Sequence, residues 1–163
     1  VNASAKIAFV LLSLFVVAII AGVRRSDDPQ ASTFAGIEAR HPALSDLSLE
    51  SGERFDRQRK DAVSMFGMDV PASHTQQFRS DPGVAVPTFQ TEAIETVERL
   101  GWSLGPGHRP SVLCGVQQNR EGTFDYVEVD LKTDADRAYV ADVMIRLAES
   151  PTGDLCETGI GAA

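Results

Sequence analysis

The sequence predicts an α+β protein: a single N-terminal transmembrane helix followed by a small soluble domain with helices packed on a short antiparallel sheet. Three observations carry that expectation. The chain opens with a long apolar run, its second half holds two neighbouring segments of alternating polarity, and stretches of helical period flank those segments.

The run from Ile7 to Val23 is seventeen residues with only Ser13 polar, walled by Lys6 before it and Arg24-Arg25 after it. At a rise of about 1.5 Å per residue it makes about 26 Å of helix, inside the range of about 17 to 25 residues that spans a bilayer. A secretory signal opens in the same way. Here, however, isoleucine stands three residues before either cleavage point, after Ala21 or Gly22, where small residues are preferred. An uncleaved anchor over residues 1–25 is therefore expected, and the absence of a cysteine near the end of the run excludes a lipoprotein anchor. Ala18 and Gly22, four apart with Ala21 beside them, have the spacing that lets helices approach closely in lipid. They are the candidate helix-packing residues.

Composition past the anchor is that of a globular domain, with 43% hydrophobic and 23% charged residues over the chain. A net charge of -8 excludes nucleic acid as a natural partner, because that affinity rests on Lys and Arg neutralising phosphates. The positive charges around the run nearly balance, so orientation is read from Cys114 and Cys156, the only cysteines. Their even number fits one disulfide, and a disulfide favours an extracytoplasmic domain. Such a bridge closes a loop of about 43 residues, for roughly 4 kcal/mol of chain-entropy stabilisation. It would also tether a tail, residues 152–163, that has little else to order it.

Residues 26–87 read as linker and irregular segment. Pro29 and Pro42 bias Asp28 and His41 away from helix, so the anchor should stop near residues 25–27. One helix is expected at about 53–66: Phe55, Ala62, Val63 and Phe66 share a face, and Glu53 with Arg57 and Asp56 with Lys60 are opposite charges four apart. The basic residues Arg54, Arg57, Arg59 and Lys60 on it read as a solvated face with acids interleaved rather than as a docking patch. Residues 68–87, rich in proline, read as an extended connection.

Residues 88–163 read as a compact α+β domain ordered helix, strand, strand, strand, helix. Thr88 caps a helix through Leu100, with Ile94, Val97 and Leu100 as its stripe and Gly101 as its stop. Trp102 opens an edge strand, and Ser111 to Gln117 is a strand. The turn Asn119-Arg-Glu-Gly122 leads into a strand from Thr123 to Leu131. Its face of Val127, Val129 and Leu131 should be core, and Phe124, Tyr126, Glu128 and Asp130 should face water. Thr133 caps a final helix, Asp134 to Glu149, striped by Val140, Ala141, Met144, Leu147 and Ala148, with Pro151 after it.

No catalytic, cofactor-binding or metal-binding residue emerges. His41, His74 and His108 each stand in polar or proline-flanked surroundings without a second ligand at metal spacing, and read as solvated loop residues. Asp130, Asp134 and Asp136 lack the glycine and distal glutamate of a calcium loop. Nucleophile elbow, phosphate loop, dinucleotide and haem motifs are missing too. The expectation is therefore a non-enzymatic accessory subunit of a multisubunit integral-membrane complex of respiratory or photosynthetic type. It would lie in an inner or energy-transducing membrane, with other membrane subunits and the bilayer as partners and no cofactor. Alternatives are a membrane-tethered extracytoplasmic binding or assembly domain, with Trp102, Tyr126 and His108 lining a site, and a pilin-like subunit. The pilin reading is weakened by the late start of the run, the missing early glutamate and the break at Pro29.

Overall fold

The computed structural model describes residues 23–24, 33–65, 68–133, 141–150 and 153–158. In chain order these form β1 (Val23–Arg24), α1 (Phe34–Arg40), α2 (Pro42–Ser45), β2 (Gly52–Lys60), β3 (Val63–Met65), β4 (Met68–Val70) and β5 (Ser73–Ser80). There follow α3 (Val86–Arg99), β6 (Gly105–Pro106), β7 (Val112–Gln118), β8 (Phe124–Thr133), β9 (Ala141–Ser150) and α4 (Leu155–Thr158). Six strands make one antiparallel sheet in the order β2-β5-β9-β8-β7-β6, and β1-β3-β4 make a second, small one.

This corrects the expected fold class. The sheet is not short, the helices are few, and among the described residues no helix is long and apolar enough to cross a membrane. The expected span lies outside the described residues, and with it Ala18, Ala21 and Gly22. Its last residue, Val23, opens β1.

Two expected helices give way to strands for identifiable reasons. In the segment from Ala141 to Ala148 both periods are satisfied, because Ala141, Val143, Ile145 and Leu147 also alternate with Asp142, Met144, Arg146 and Ala148. The β-branched Val143 and Ile145 suit a strand, and the segment pairs with β5 on one side and β8 on the other, which fixes every backbone group. Residues 134–140, the first half of the expected helix, lie outside the described residues.

The expected helix at 53–66 is β2 and β3. Its charge pairs at four-residue spacing are outcompeted by eight rows of pairing with β5, interrupted by a bulge at Phe55 between Arg54 and Asp56. The bulge resets the alternation so that Arg54, Arg57 and Arg59 stand opposite Phe78, Gln76 and His74. The segment expected to be irregular, 68–87, supplies β4 and β5, and α1 and α2 occupy the expected linker.

The core lies between one face of the large sheet and the helices. Phe78, Val127, Val129, Ala141, Val143, Ile145 and Leu147 meet Ile37 of α1, Leu44 of α2, Phe89, Ala93 and Val97 of α3, and Trp102. The buried stripe of α3 thus runs Phe89, Ala93, Val97, while Leu100 is exposed. Pro87 sits in its first turn, and Gly101, at φ +92°, terminates it in a conformation that favours glycine. Gly52 marks where α3 crosses the end of β2, since a Cβ there would collide with the Phe89 ring and the Arg79 carbonyl.

The opposite face is buried too, against expectation. Tyr126, Glu128 and Asp130 are almost wholly shielded from solvent. The segment carrying His108 and Arg109 lies over Glu128 and Asp130, and the tail helix α4 packs on β7 and β8.

Candidate functional site

Cys114 of β7 and Cys156 of α4 form a disulfide, with their Cα atoms 5.5 Å apart and a sequence separation of 42. In the sheet register Cys114 stands beside Glu128 and Arg146, and two rows on Val116 stands beside Tyr126 and Ala148. The bridge therefore fastens the tail over the second face. There a backbone hydrogen bond links Leu155 to Tyr126, whose burial raises its phenol pKa.

Three clusters of ionisable groups surround the sheet, and sequence reading missed all three because their members come from distant segments. The first stitches α1 to the ends of β8 and β9. Arg40 donates from Nε and Nη2 to Asp125 at 3.0 and 2.8 Å, and from Nη2 to Glu149 at 2.6 Å. His41 Nε2 lies 2.8 Å from Asp125, the Asn119 amide donates to it at 3.3 Å, and the Thr123 hydroxyl donates to Glu149 at 2.6 Å. The Trp102 ring stacks on His41 with centroids 5.1 Å apart. Burial pushes the Asp125 carboxyl up, but the His41 and Arg40 hydrogen bonds and the arginine charge overcome it and hold it at about 2. The same contact with Asp125 raises the Arg40 guanidinium.

The second cluster joins α1 to β2 and β5. The buried His74 ring accepts a hydrogen bond from Arg57 Nε to its Nε2 at 2.9 Å, which assigns the ring proton to Nδ1, 3.2 Å from Glu38. Glu38 also receives Arg59 Nε at 2.7 Å and Arg57 Nη2 at 3.4 Å. Burial lowers His74 to about 4, with the nearby arginines adding to it against the opposing charge of Glu38. Burial also works to raise Glu38, but its hydrogen bond to Arg59 and the surrounding positive charges leave it lowered. Arg57 and Arg59 both bind α1 to the sheet edge through Glu38, Arg57 from a half-buried position and Arg59 from an exposed one.

The third cluster lies on the second face. Glu128 stands 3.6 Å from Arg146 and 3.9 Å from His108, and Asp130 accepts from Arg109 at 3.1 Å and Ser111 at 3.0 Å. An open groove of about 540 Å³ runs along residues 104–113 beside it. The structure does not bring Trp102, Tyr126 and His108 together. Trp102 belongs to the core on the helix side, whereas Tyr126 and the His108 partner Glu128 stand on the other face of β8. His74, expected in a loop, is a buried strand residue.

Each carboxylate of the first two clusters already has its cation. Asp125 accepts on both oxygens, and no nucleophilic serine or thiol stands among its hydrogen-bond partners. Among the described residues no group of three or more metal-ligating side chains converges. These clusters perform fastening chemistry, in which paired charges take the place of water as α1 is laid on the sheet.

A different feature joins the domain to the apolar run. The β2–β5 hairpin does not stop at the edge of the large sheet. After Lys60 opposite Ser73 it continues as β3 and β4, with Val63 opposite Val70 and Met65 opposite Met68. Onto this ribbon β1 adds as a third strand, Val23 opposite Met65 and Arg24 opposite Ser64. The segment that ends the apolar run is thus woven into the same ribbon as the domain. No protein-family model, curated protein or solved structure matches the chain.

Proposed function

We propose that this chain is a non-catalytic accessory subunit of a multisubunit membrane assembly, acting by bracing its neighbours from the extracytoplasmic side. One observation carries the reading: the ribbon of β3 and β4, which takes up β1, couples the six-stranded domain through backbone pairing to the segment that ends the apolar run. A freely tethered binding domain needs slack at this junction. A brace needs stiffness, because load on one part must reach the other, and three paired strands resist bending far better than a coil.

The disulfide supports an oxidising compartment, since such bonds persist outside the cytosol. The pairing of Asp125 with Arg40 and His41, and of Glu149 with Arg40, supports a structural role for the first cluster, because these carboxylates are held by α1. The apolar run from Ile7 to Val23 supports a membrane host, because so long a stretch calls for lipid or protein cover.

The test is extraction of native membranes in mild detergent, followed by native gel separation and mass spectrometry of co-migrating chains. Constant stoichiometry with one large assembly is the expected outcome. Migration as a free 17.5 kDa chain overturns the reading and favours the tethered binding domain.

A further inference from the structure

We infer that the outer edge of β2 is a docking surface for an acidic, extended segment of a neighbouring chain, which adds to the large sheet as a seventh strand antiparallel to β2. A sheet has two edges, and this molecule treats them differently. At β7 the edge is covered: β6 pairs with Leu113 and Cys114, a Cβ on Gly115 would meet the Ser103 carbonyl at 3.0 Å, and the Gln117 amide donates to the Gly101 carbonyl. At β2 nothing among the described residues pairs on the outer side. Alternate backbone N–H and C=O groups of such a strand point away from its sheet. Glu53, Arg54, Phe55, Gln58, Arg59 and Lys60 are exposed, so the nine-residue strand is accessible along most of its length.

Charge and one aromatic ring select the occupant. From Asp56 to Lys60 the pairing with β5 is regular, and the stretch carries three cations and one acid. The acid is already occupied, since Asp56 accepts from Gln58, Gln77 and the Arg57 backbone N–H. The cations are not. Lys60 has no partner among the described residues, and Arg59 gives Nε to Glu38, which leaves Nη1 and Nη2 without a hydrogen bond. Arg59 stands opposite His74 on the α1 side of the sheet, and Lys60 opposite Ser73 on the other. An incoming strand therefore meets positive charge on both of its faces, which adjacent carboxylates complement. A second copy of β2 centred on Gln58 would instead set Arg57 against Arg59. The bulge adds an apolar anchor: it turns out Phe55, 42% exposed, with the Arg79 guanidinium over its ring at 4.5 Å. Aromatic and arginine side chains are the groups enriched where protein surfaces meet. The segment that fits is acidic where it passes Lys60 and Arg59 and apolar where it reaches Phe55. This names the partner chemistry of the proposed brace and rests on that reading.

The test uses the full chain, disulfide intact, in a non-ionic detergent, and follows the fluorescence anisotropy of a labelled peptide, Thr-Glu-Glu-Thr-Glu-Thr-Val-Val. Two control peptides replace its glutamates by lysine or methylate alternate backbone nitrogens, which blocks strand pairing. The expected result is saturable binding of the acidic peptide, several-fold weaker binding of both controls, and hydrogen-exchange protection that rises in β2 and not in β7. Lys60→Glu and Phe55→Ala, both at exposed positions, should each weaken binding several-fold while the melting temperature holds. Absence of binding overturns the inference, as does binding of either control, or of the acidic peptide to both variants, at undiminished strength. Protection of β2 that grows with protein concentration in the absence of peptide also overturns it, and shows a second copy on this edge. Because no neighbouring subunit is present, failure here leaves the co-migration result standing, and failure there leaves this one.

Discussion

Asp125 shows how much one buried side chain organises. Placed at the end of β8, it accepts from Arg40 through both oxygens and from His41 and Asn119, which draws α1, the sheet and the turn after β7 to one point. Removing one partner of such an arrangement is costly because the other charge is left without water or counter-charge. Arg40→Met should therefore lower stability by about 3 kcal/mol, the usual cost of orphaning a buried carboxylate, with Glu149 losing its cation as well. Adding Asp125→Asn to that variant should restore part of the loss, since the orphaned charge disappears. Urea unfolding of both variants and the wild type checks this, and a double variant no better than Arg40→Met alone refutes it. None of these residues was legible as a partner of another: Arg40 and Asp125 are 85 positions apart, and a sequence shows spacing along the chain, not across a sheet.

At the scale of the element, legibility depended on whether two periods competed. β7 and β8 fall within two residues of their expected limits, because alternation there is unaccompanied by a helical stripe and Gly122, at φ +86°, marks the turn. β9 and β2 were misread because apolar or charged residues at three- and four-residue spacing also fitted a helix. Long-range pairing, invisible to either period, decided them. The faces of β8 were half legible. Val127 and Val129 are core as expected, while Glu128 and Asp130 are buried because a loop and a tail, not water, cover them.

The cysteine pair was the most legible element, since two thiols permit one bond. Cys114→Ser combined with Cys156→Ser should lower the melting temperature by about 10 °C, from roughly 4 kcal/mol of lost loop constraint. Hydrogen exchange should rise first at α4 and at Tyr126 on β8, where the tail packs. An unchanged melting temperature would show that the tail is held without the bond.

For the whole molecule, pH tests how α1 is held. His74 titrates near 4 in the fold against an ordinary value of about 6.5, so the unfolded chain binds its proton first as pH falls. The contribution of neutral His74 is complete above about 6.5 and is lost progressively down to about 4. Asp125, at about 2 in the fold, adds a second loss that begins near its ordinary value of about 3.9 and runs down to 2. Urea midpoints should therefore decline from pH 6.5 downward, and His74→Gln should flatten the upper part of that decline while leaving the lower part. An unaltered slope between pH 6.5 and 4 in that variant excludes His74 as its source.

The position of β9 has a consequence for how the protein is made. It pairs with β5 and β8 on its two sides, yet it is the last strand among the described residues, beginning at residue 141. Until a ribosome or translocation channel has released that segment, the hairpin of β2 and β5 and the hairpin of β7 and β8 each wait with an open inner edge. Open edges are templates for pairing with the wrong chain. The nascent protein is therefore most vulnerable after β8 and before β9 has emerged, and a polypeptide truncated between β8 and β9 leaves two half-sheets with no strand to join them.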